Sequence, residues 1–235
     1  MNIFKNKTAF VTGATSGIGF QIAKELASNG CNIVFNYRNT PSRDLLINDL
    51  GVYNVNIKAF KCDFLNNQET SDLLVYLQTQ EIDILINSAG VFPIRNLENS
   101  TIKDYDDVFQ VNVKIPFILS KVLGAKMCKN RWGRILNIGS SSAYNGSGET
   151  GLYCSSKHAL LGLSRSLTKE YSPYNVRTYC LSPGSTQTKM GATDTRQDFS
   201  TFITPEEIAK KAIFIMSFEG EGISEEFRIN RMVIK

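Results

Sequence analysis

The sequence predicts an α/β fold in which helices cover both faces of a parallel sheet. Short apolar runs of strand length alternate with longer stretches of helical periodicity along nearly the whole chain. No repeat, low-complexity segment or linker interrupts this alternation. Because parallel strands need long crossover connections, strands that alternate with helices are typical of this class. We therefore expect one domain over residues 1–235.

The predicted elements follow from apolar periodicity and from the residues at their ends. The expected strands are 7–12, 31–37, 54–60, 82–90, 133–140, 175–184 and 226–235. The expected helices are 18–30, 42–51, 66–80, a long pattern over 101–129, then 151–172 and 205–217. Ser42 is expected to cap the second helix, and Thr204 the last helix, which has Pro205 in its first turn.

Composition and charge exclude several function classes. The net charge of +4 is spread over interspersed residues without a basic tract, which argues against a nucleic-acid partner. Neither a signal-peptide apolar region nor a stretch of about 18 uninterrupted apolar residues is present, so we expect no membrane span. Five irregularly spaced cysteines without a CxxC motif indicate reduced thiols in a cytoplasmic protein. The single histidine, His158, argues against a histidine metal site or a Ser-His-Asp triad.

A glycine-rich turn follows the first predicted strand. The segment TGATSGIG (12–19) places Gly13, Gly17 and Gly19 immediately before a helix. Glycines permit a tight turn and a close approach of the backbone to a ligand, and the N–H groups of the following helix attract an anion. The strand–turn–helix context favours a dinucleotide pyrophosphate over an ordinary tight turn.

A second motif pairs a phenol with an ammonium. The segment YCSSK (153–157) lies in a predicted helix, so Tyr153 and Lys157 share one face. A phenol titrates near pH 10, and lowering its pKa to about 7 takes roughly 4 kcal/mol of differential stabilisation. A neighbouring ammonium favours the phenolate, which would make the tyrosine a usable acid and base. Taken alone, the pair also fits an ordinary helix surface.

Together with INSAG (86–90), these motifs resemble the short-chain dehydrogenase/reductase family, from Thr8 to about Phe218. The resemblance implies a Rossmann-type doubly wound, mostly parallel sheet of seven strands in the order 3-2-1-4-5-6-7, with a cofactor half over about 1–130 and a catalytic half over about 131–235. It implies an oxidoreductase dependent on a nicotinamide dinucleotide. By the family's pattern, Tyr153 exchanges the proton, Lys157 assists it and holds the ribose, and Ser140 donates to the substrate oxygen. Asn112, within FQVNV, matches the asparagine that holds a water in a proton relay to the lysine.

The resemblance also implies the residues that contact the cofactor. Asp63 should contact the adenine, and the SPGSTQT segment (182–188) should hold the nicotinamide through the Thr186 backbone and the Thr188 hydroxyl. The full set of expected cofactor residues is Gly13, Thr15, Ser16, Gly17, Ile18, Gly19, Arg38, Asp63, Asn87, Ala89, Gly90, Tyr153, Lys157, Pro183, Gly184, Thr186 and Thr188.

The end of the second strand favours NADP(H) over NAD(H). An NAD-binding site of this type places a carboxylate there, whereas this chain has Tyr37 followed by Arg38, and no acid before Asp44. A guanidinium can pair with a 2′-phosphate that a carboxylate would repel. Ser16 opposes this choice, because many NADP-dependent relatives have a basic residue at that position.

The substrate and the assembly are less constrained by the sequence. A polar stretch, 189–204, is expected to cover the active site as a lid. The overall pattern resembles that of 3-oxoacyl-carrier-protein reductases, which implies a 3-oxoacyl substrate. A polar sugar-linked substrate and a catalytically silent NADP(H) sensor are the alternatives. Two helices carry apolar residues beyond one stripe, which predicts a homotetramer or homodimer. These residues are Val108, Phe109, Val111, Ile115, Phe117, Leu161 and Leu163.

Overall fold

A computed structural model of the chain describes residues 2–222 and 224–232. Within them, each predicted strand is present with changed ends, and the strand expected at 82–90 is limited to Ile84–Asn87. The seven strands are β1 Thr8–Thr12, β2 Asn32–Tyr37, β3 Ile57–Lys61, β4 Ile84–Asn87, β5 Gly133–Ile138, β6 Val176–Pro183 and β7 Glu226–Ile229. The last strand is shorter than expected, and residues 233–235 of its predicted range lie outside the described residues.

The strands form one sheet in the order β3-β2-β1-β4-β5-β6-β7, as predicted. Every neighbouring pair is parallel, so the sheet is fully parallel and not mostly parallel. The strand order reverses direction between β1 and β4, where the register pairs Thr12 with Asn87. Ligands of open α/β sheets bind at such a switch point, beyond the carboxyl ends of the strands.

Helices cover both faces because the central strands are apolar on both sides. The helices are α1 Gly17–Ser28, α2 Thr40–Leu50, α3 Asn67–Thr79, α4 Ile102–Phe109, α5 Ile115–Lys129, α6 Gly151–Tyr171 and α7 Pro205–Met216. One hydrophobic core joins α1, α2 and α7 to the sheet, and a second joins α3, α5 and the end of α6 to the opposite face. The five cysteines are free thiols, as predicted.

The caps of two helices test the sequence predictions at single residues. Thr204 caps α7, as expected, by accepting a hydrogen bond from the backbone N–H of Glu207. The prediction that Ser42 caps α2 is wrong. The cap is Asn39, whose side chain accepts from the Ser42 N–H, so that α2 begins two residues earlier than expected. Both residues are favourable caps, and the choice between them is set by where the chain turns after β2.

The long helical pattern over 101–129 is interrupted. Between α4 and α5 the backbone forms one π-helical turn, Gln110–Lys114. The whole stretch Ile102–Lys129 has the length and apolar composition that a membrane crossing needs, yet half of its most apolar window is buried inside the fold. Its packing against α3, α6 and β5 is that of a core helix.

Candidate active site

A cavity of about 490 Å³ lies at the carboxyl end of the sheet, over the switch point between β1 and β4. This volume suits a small-molecule ligand. Its walls come from the loops that follow β1, β2, β3, β4, β5 and β6, and from the start of α6. Of the expected site residues, those that line it are Gly13, Thr15, Ser16, Gly17, Ile18, Arg38, Asp63, Ala89, Gly90, Ser140, Tyr153, Lys157, Pro183, Gly184, Thr186 and Thr188.

The glycine turn depends on the missing side chains at two positions. Gly13 has a φ of +65°, and a Cβ there would lie 2.8 Å from the Ala89 backbone nitrogen. Gly19 is packed so closely that a Cβ would lie 2.5 Å from the Gly13 carbonyl oxygen. Positive φ and backbone contacts of this length exclude any residue other than glycine. The turn therefore packs closely against the beginning of the loop that follows β4 and against the first turn of α1.

The start of α1 fits a pyrophosphate. Ser16 precedes the helix in an extended conformation, and its side chain makes no capping hydrogen bond. The first N–H groups of α1 are thus left without a side-chain partner at the cavity wall, and together with the helix dipole they form an anion site. This arrangement fits the pyrophosphate of a dinucleotide.

Three expected site residues do not line the cavity. Gly19 supports the turn from behind, as its packing against Gly13 shows. The Asn87 side chain is buried and donates to Asn137 Oδ1 at 2.8 Å, and its expected cofactor contact stays a prediction. Asn112 is also buried, 1% exposed, and turns to backbone groups. Both polar atoms of the Asn112 amide are hydrogen-bonded, whereas the buried Oδ1 of Asn87 has no hydrogen-bond partner among the described residues.

Arg38 lines the cavity at the loop after β2, where it is exposed and follows Tyr37 directly. Among the described residues, no carboxylate forms an ion pair with it. The nearest acid in sequence, Asp44, pairs instead with Arg43 at 2.7 Å, and that guanidinium also contacts the Tyr37 ring. A guanidinium without a counter-charge at this part of the cavity favours an anionic group on the ligand.

Tyr153 is buried at the start of α6. The Phe92 ring meets its ring edge-on, with the centroids 4.6 Å apart. Burial raises the pKa of the phenol to about 12, and the Ser140 hydroxyl acts in the opposite direction. At neutral pH the group is therefore a neutral phenol, which is a proton donor.

Lys157 lies one turn along α6, with its ammonium 5.5 Å from the centre of the Tyr153 ring. Its Nζ donates to the Ile138 carbonyl at 2.8 Å. Burial lowers the pKa of the ammonium to about 8. Among the protein's own groups, desolvation outweighs the influence of the ammonium, so the pKa of the phenol lies above its ordinary value. That Lys157 favours the phenolate during the reaction stays a prediction.

Ser140 follows β5 in an extended backbone conformation. Its hydroxyl accepts a hydrogen bond from the Ser142 N–H at 3.1 Å, which leaves the O–H proton free to point into the cavity. The hydroxyl is positioned beside the phenol on the cavity wall. Ser141 and Ser142, the neighbours that could be confused with it in sequence, also line the cavity.

Asn112 lies at the centre of the π turn. Its amide accepts from the Val91 N–H at 2.9 Å and donates to the Val91 carbonyl at 3.0 Å. It also donates to the Ser156 hydroxyl at 3.0 Å, and that hydroxyl donates to the Tyr153 carbonyl. The π turn, which often marks a functional site, thus places an amide that joins the loop after β4 to the helix of Tyr153. Asn112 positions these two walls and makes no hydrogen bond to Lys157.

The lid residues lie over the remaining side of the cavity. They form two short 3₁₀ turns, Gly191–Thr193 and Phe199–Thr201. Lid residues on the cavity wall are Lys189, Met190, Gly191, Asp194, Arg196, Gln197 and Phe202. The Thr188 hydroxyl accepts from the Gly191 N–H at 2.9 Å, which joins the loop after β6 to the lid.

Sequence reasoning missed several cavity residues, of which Phe92, Asn145 and Arg196 are examples. Phe92 follows the INSAG motif by two residues, and an aromatic residue there gave no periodic signal. Arg196 lies in a polar segment whose charges carry no local pattern. Their roles depend on which distant residues the fold brings beside them.

The parallel sheet, the uncapped helix behind a glycine turn and the Ser-Tyr-Lys cluster define a Rossmann-type oxidoreductase that uses a nicotinamide dinucleotide. The profile of the short chain dehydrogenase family matches residues 7–198, and the chain belongs to that family.

Two curated relatives and one solved structure illustrate the likeness. The chain is 32% identical to a 3-oxoacyl-acyl-carrier-protein reductase of Rickettsia bellii, over 93% of this chain and 92% of that protein. It is 31% identical to dehydrogenase/reductase SDR family member 4 of Mus musculus, over 84% of this chain and 74% of the relative. A candidate NAD(P)-dependent gluconate 5-dehydrogenase from Beutenbergia cavernae, solved with NADP, superposes with a TM-score of 0.88 at 26% identity, covering 96% of this chain and 95% of its own.

Proposed function

We propose that the protein is an NADP(H)-dependent reductase that converts a carbonyl compound into a secondary alcohol, of the 3-oxoacyl-carrier-protein reductase type. The single observation that carries this proposal is the buried, neutral Tyr153 phenol on the wall of the cavity at the switch point of the sheet, flanked by Ser140 and Lys157. A neutral phenol can deliver a proton to a substrate oxygen as negative charge develops on it. The bound nicotinamide would supply the hydride.

In this proposal each side chain has a separate task. The Ser140 O–H, whose oxygen is fixed by the Ser142 N–H, donates to the carbonyl oxygen and stabilises its developing charge. Tyr153 delivers the proton. Lys157, oriented by the Ile138 carbonyl, holds the ribose and favours proton release from the phenol. Asn112 keeps the loop after β4 and the start of α6 in register, as a positioning residue.

The preference for NADP(H) follows from Arg38. It lines the cavity at the loop after β2, and Tyr37 occupies the position at which a carboxylate would accept from a ribose hydroxyl. We expect Arg38→Gln to raise the KM for NADPH by about tenfold or more, the size of a charged hydrogen bond, while the KM for NADH stays within about twofold. Arg43→Gln is the matched control, because Arg43 pairs with Asp44 outside the cavity wall. Equal losses for both cofactors in Arg38→Gln would contradict the preference.

The substrate end of the cavity leaves a second candidate open. Polar side chains dominate it, including Ser142, Asn145, Ser147 and Gln197, while Phe92 and Phe202 supply apolar surface. This composition also suits a polar, sugar-linked carbonyl substrate. The chain's free cysteines support a cytoplasmic location for either reaction.

The test of the activity is NADPH oxidation, with NADH in parallel, against ketones, diketones, 3-oxoacyl thioesters and sugar-derived ketones. We expect turnover of at least one class, and a loss of about 10²- to 10⁴-fold in Tyr153→Phe with cofactor binding retained. NADPH binding without turnover of any substrate would instead support a silent sensor. Full turnover in Tyr153→Phe would refute the assignment of the proton donor.

We also propose that the protein forms a homo-oligomer through α4, α5 and α6. Four of the seven apolar residues expected there belong to the chain's own core, namely Val108, Val111, Ile115 and Leu161. The remaining three, Phe109, Phe117 and Leu163, line a groove on the outer surface, where Phe117 is 49% exposed. Light scattering at micromolar concentration should give the mass of a dimer or tetramer, and Phe117→Asp should reduce it; a monomeric wild-type mass would contradict the proposal.

A further inference from the structure

One arginine of the lid spans the substrate end of the cavity. The Arg196 guanidinium forks onto Asp194, with Nε–Oδ1 and Nη2–Oδ2 distances of 2.7 and 3.1 Å. Its remaining arm, Nη1, reaches the Glu149 carboxylate at 3.0 Å. Glu149 belongs to the segment that leads into α6, four residues before Tyr153. A single side chain therefore joins the lid to the segment that leads into α6, the helix that carries Tyr153.

Each end of this connection is anchored differently. Asp194 is 9% exposed and also accepts from Gln197 Nε2 at 2.9 Å, while Gln197 Oε1 accepts from the Ser185 hydroxyl after β6. The Arg196–Glu149 pair is much more open, with side-chain exposures of 42% and 54%. The Asp194 end is thus fixed within the lid, and the Glu149 end is a weak, water-accessible contact that can release.

Glu149 has an unusual backbone. Its φ is +60°, a left-handed conformation that is unfavourable for a residue with a Cβ. Its carbonyl accepts from the Arg95 N–H, and the Arg95 guanidinium pairs with Asp104 at 2.6 Å. A strained residue persists where its surroundings impose the conformation, which is common at functional sites. Glu149 therefore connects a third wall, the loop after β4, to the same bridge.

We propose that Glu149 and Arg196 form a strap that fastens the lid across the substrate end of the cavity, and that these two positioning residues favour compact carbonyl substrates. The proposal rests on the proposed function for the reaction it serves. While the strap is fastened, the lid, the start of α6 and the loop after β4 move as one wall, and a compact ketone stays beneath them. Release of the Glu149 contact frees the lid for substrate entry and product exit.

Glu149→Gln tests the strap without touching the substrate, because Glu149 is not among the residues that line the cavity. We expect the KM for a compact ketone, ethyl 3-oxobutanoate, to rise about twofold to fivefold, the effect of a partly exposed ion pair, while kcat is unchanged or higher. The KM for NADPH should stay constant. In the wild type, raising sodium chloride from about 0.05 M to about 1 M should move the KM toward that of the variant, because salt screens the pair.

Glu207→Gln is the matched control. Glu207 pairs with Lys211 at 3.6 Å on α7, with exposures of 55% and 46%, nearly those of the strap. Its KM should equal that of the wild type at every salt concentration. Equal KM values in Glu149→Gln and the wild type, or an equal rise in both variants, would overturn the strap.

Hydrogen exchange provides a readout that does not depend on turnover. With NADPH bound, amides of 189–204 should exchange about twofold to fivefold faster in Glu149→Gln than in the wild type or in Glu207→Gln. Unchanged exchange in the lid would also overturn the strap. If no ketone is turned over by the wild type, the proposed function fails, and the exchange result alone then decides whether the strap exists.

Discussion

Lys157 should destabilise the folded protein at neutral pH, although it serves the proposed reaction. Its ammonium is buried, and burial lowers its pKa from 10.5 to about 8. Each unit of pKa shift corresponds to about 1.36 kcal/mol, so the buried charge costs about 3 kcal/mol of folding free energy at pH 7. Lys157→Met removes that cost but leaves the Ile138 carbonyl without its donor, a loss of about 1 kcal/mol. We expect the variant to be more stable than the wild type by about 2 kcal/mol at pH 7.

The stability advantage of Lys157→Met decreases as the pH rises. A depressed pKa in the folded state penalises folding fully below the folded value, about 8, and the penalty disappears above the unfolded value of 10.5. Between those limits the wild type regains about 3 kcal/mol relative to the variant, while the lost hydrogen bond is independent of pH. The advantage of Lys157→Met should therefore vanish near pH 10.

Urea denaturation of both proteins at pH 7, 8, 9 and 10 measures this difference, at one fixed protein concentration so that any association is matched. Lys169→Met is the control, since Lys169 is exposed on the same helix, and its unfolding free energy should stay within about 0.5 kcal/mol of the wild type. A variant less stable than the wild type at pH 7, or a difference that stays constant with pH, would refute the reasoning. Either result would mean that Lys157 is well solvated or compensated in the fold.

Three further predictions concern the turn, the positioning amide and the pH profile. Gly19→Ala should weaken NADPH binding by at least about tenfold in a fluorescence titration, because its Cβ would meet the Gly13 carbonyl oxygen at 2.5 Å. Gly162→Ala, which faces open space in α6, should instead raise the free energy of unfolding by about 0.5–1 kcal/mol. Unchanged NADPH binding in Gly19→Ala would contradict the packing. Asn112→Ala should cost about 2 kcal/mol of unfolding free energy in urea and speed exchange of the Val91 amide, since two partly buried backbone groups lose their partner. An unaltered Val91 exchange rate would show that the Asn112 amide does not hold this loop. For ketone reduction, kcat/KM should be constant near neutral pH and fall as the pH rises through about 8. At that pH the Lys157 ammonium loses its proton, while Tyr153, with its pKa raised to about 12, still carries its own. A rise of kcat/KM above pH 8 would show that the reaction does not need the Lys157 ammonium.

Lys157 and Glu149 are both held in an unfavourable state by the folded protein. Both groups adopt a state that the isolated chain disfavours, one because its charge is desolvated and the other because its backbone is left-handed. Neighbouring groups impose each state. Such conflicts between local preference and tertiary position are expected where a protein positions groups for chemistry.

The sequence by itself determined the order and kind of the elements. Alternating apolar runs and helical periods carry their hydrogen-bonding pattern locally, and the strand order then followed from the family resemblance. The glycine turn and the Tyr153–Lys157 spacing were also readable, because each is a local constraint: a turn that only glycine permits, and two residues one helical turn apart.

Only the tertiary structure decided where side chains from distant segments meet. Asn39 and not Ser42 caps α2, Asn87 turns toward Asn137, and the Lys157 ammonium faces the Ile138 carbonyl. Helical periodicity in the sequence did not indicate the π turn at Asn112. The turn is stabilised by hydrogen bonds between Asn112 and the loop after β4, and such contacts between distant segments leave no periodic pattern. Burial, which sets the pKa of Tyr153 and of Lys157, is a property of the assembled walls and has no local signature in the chain.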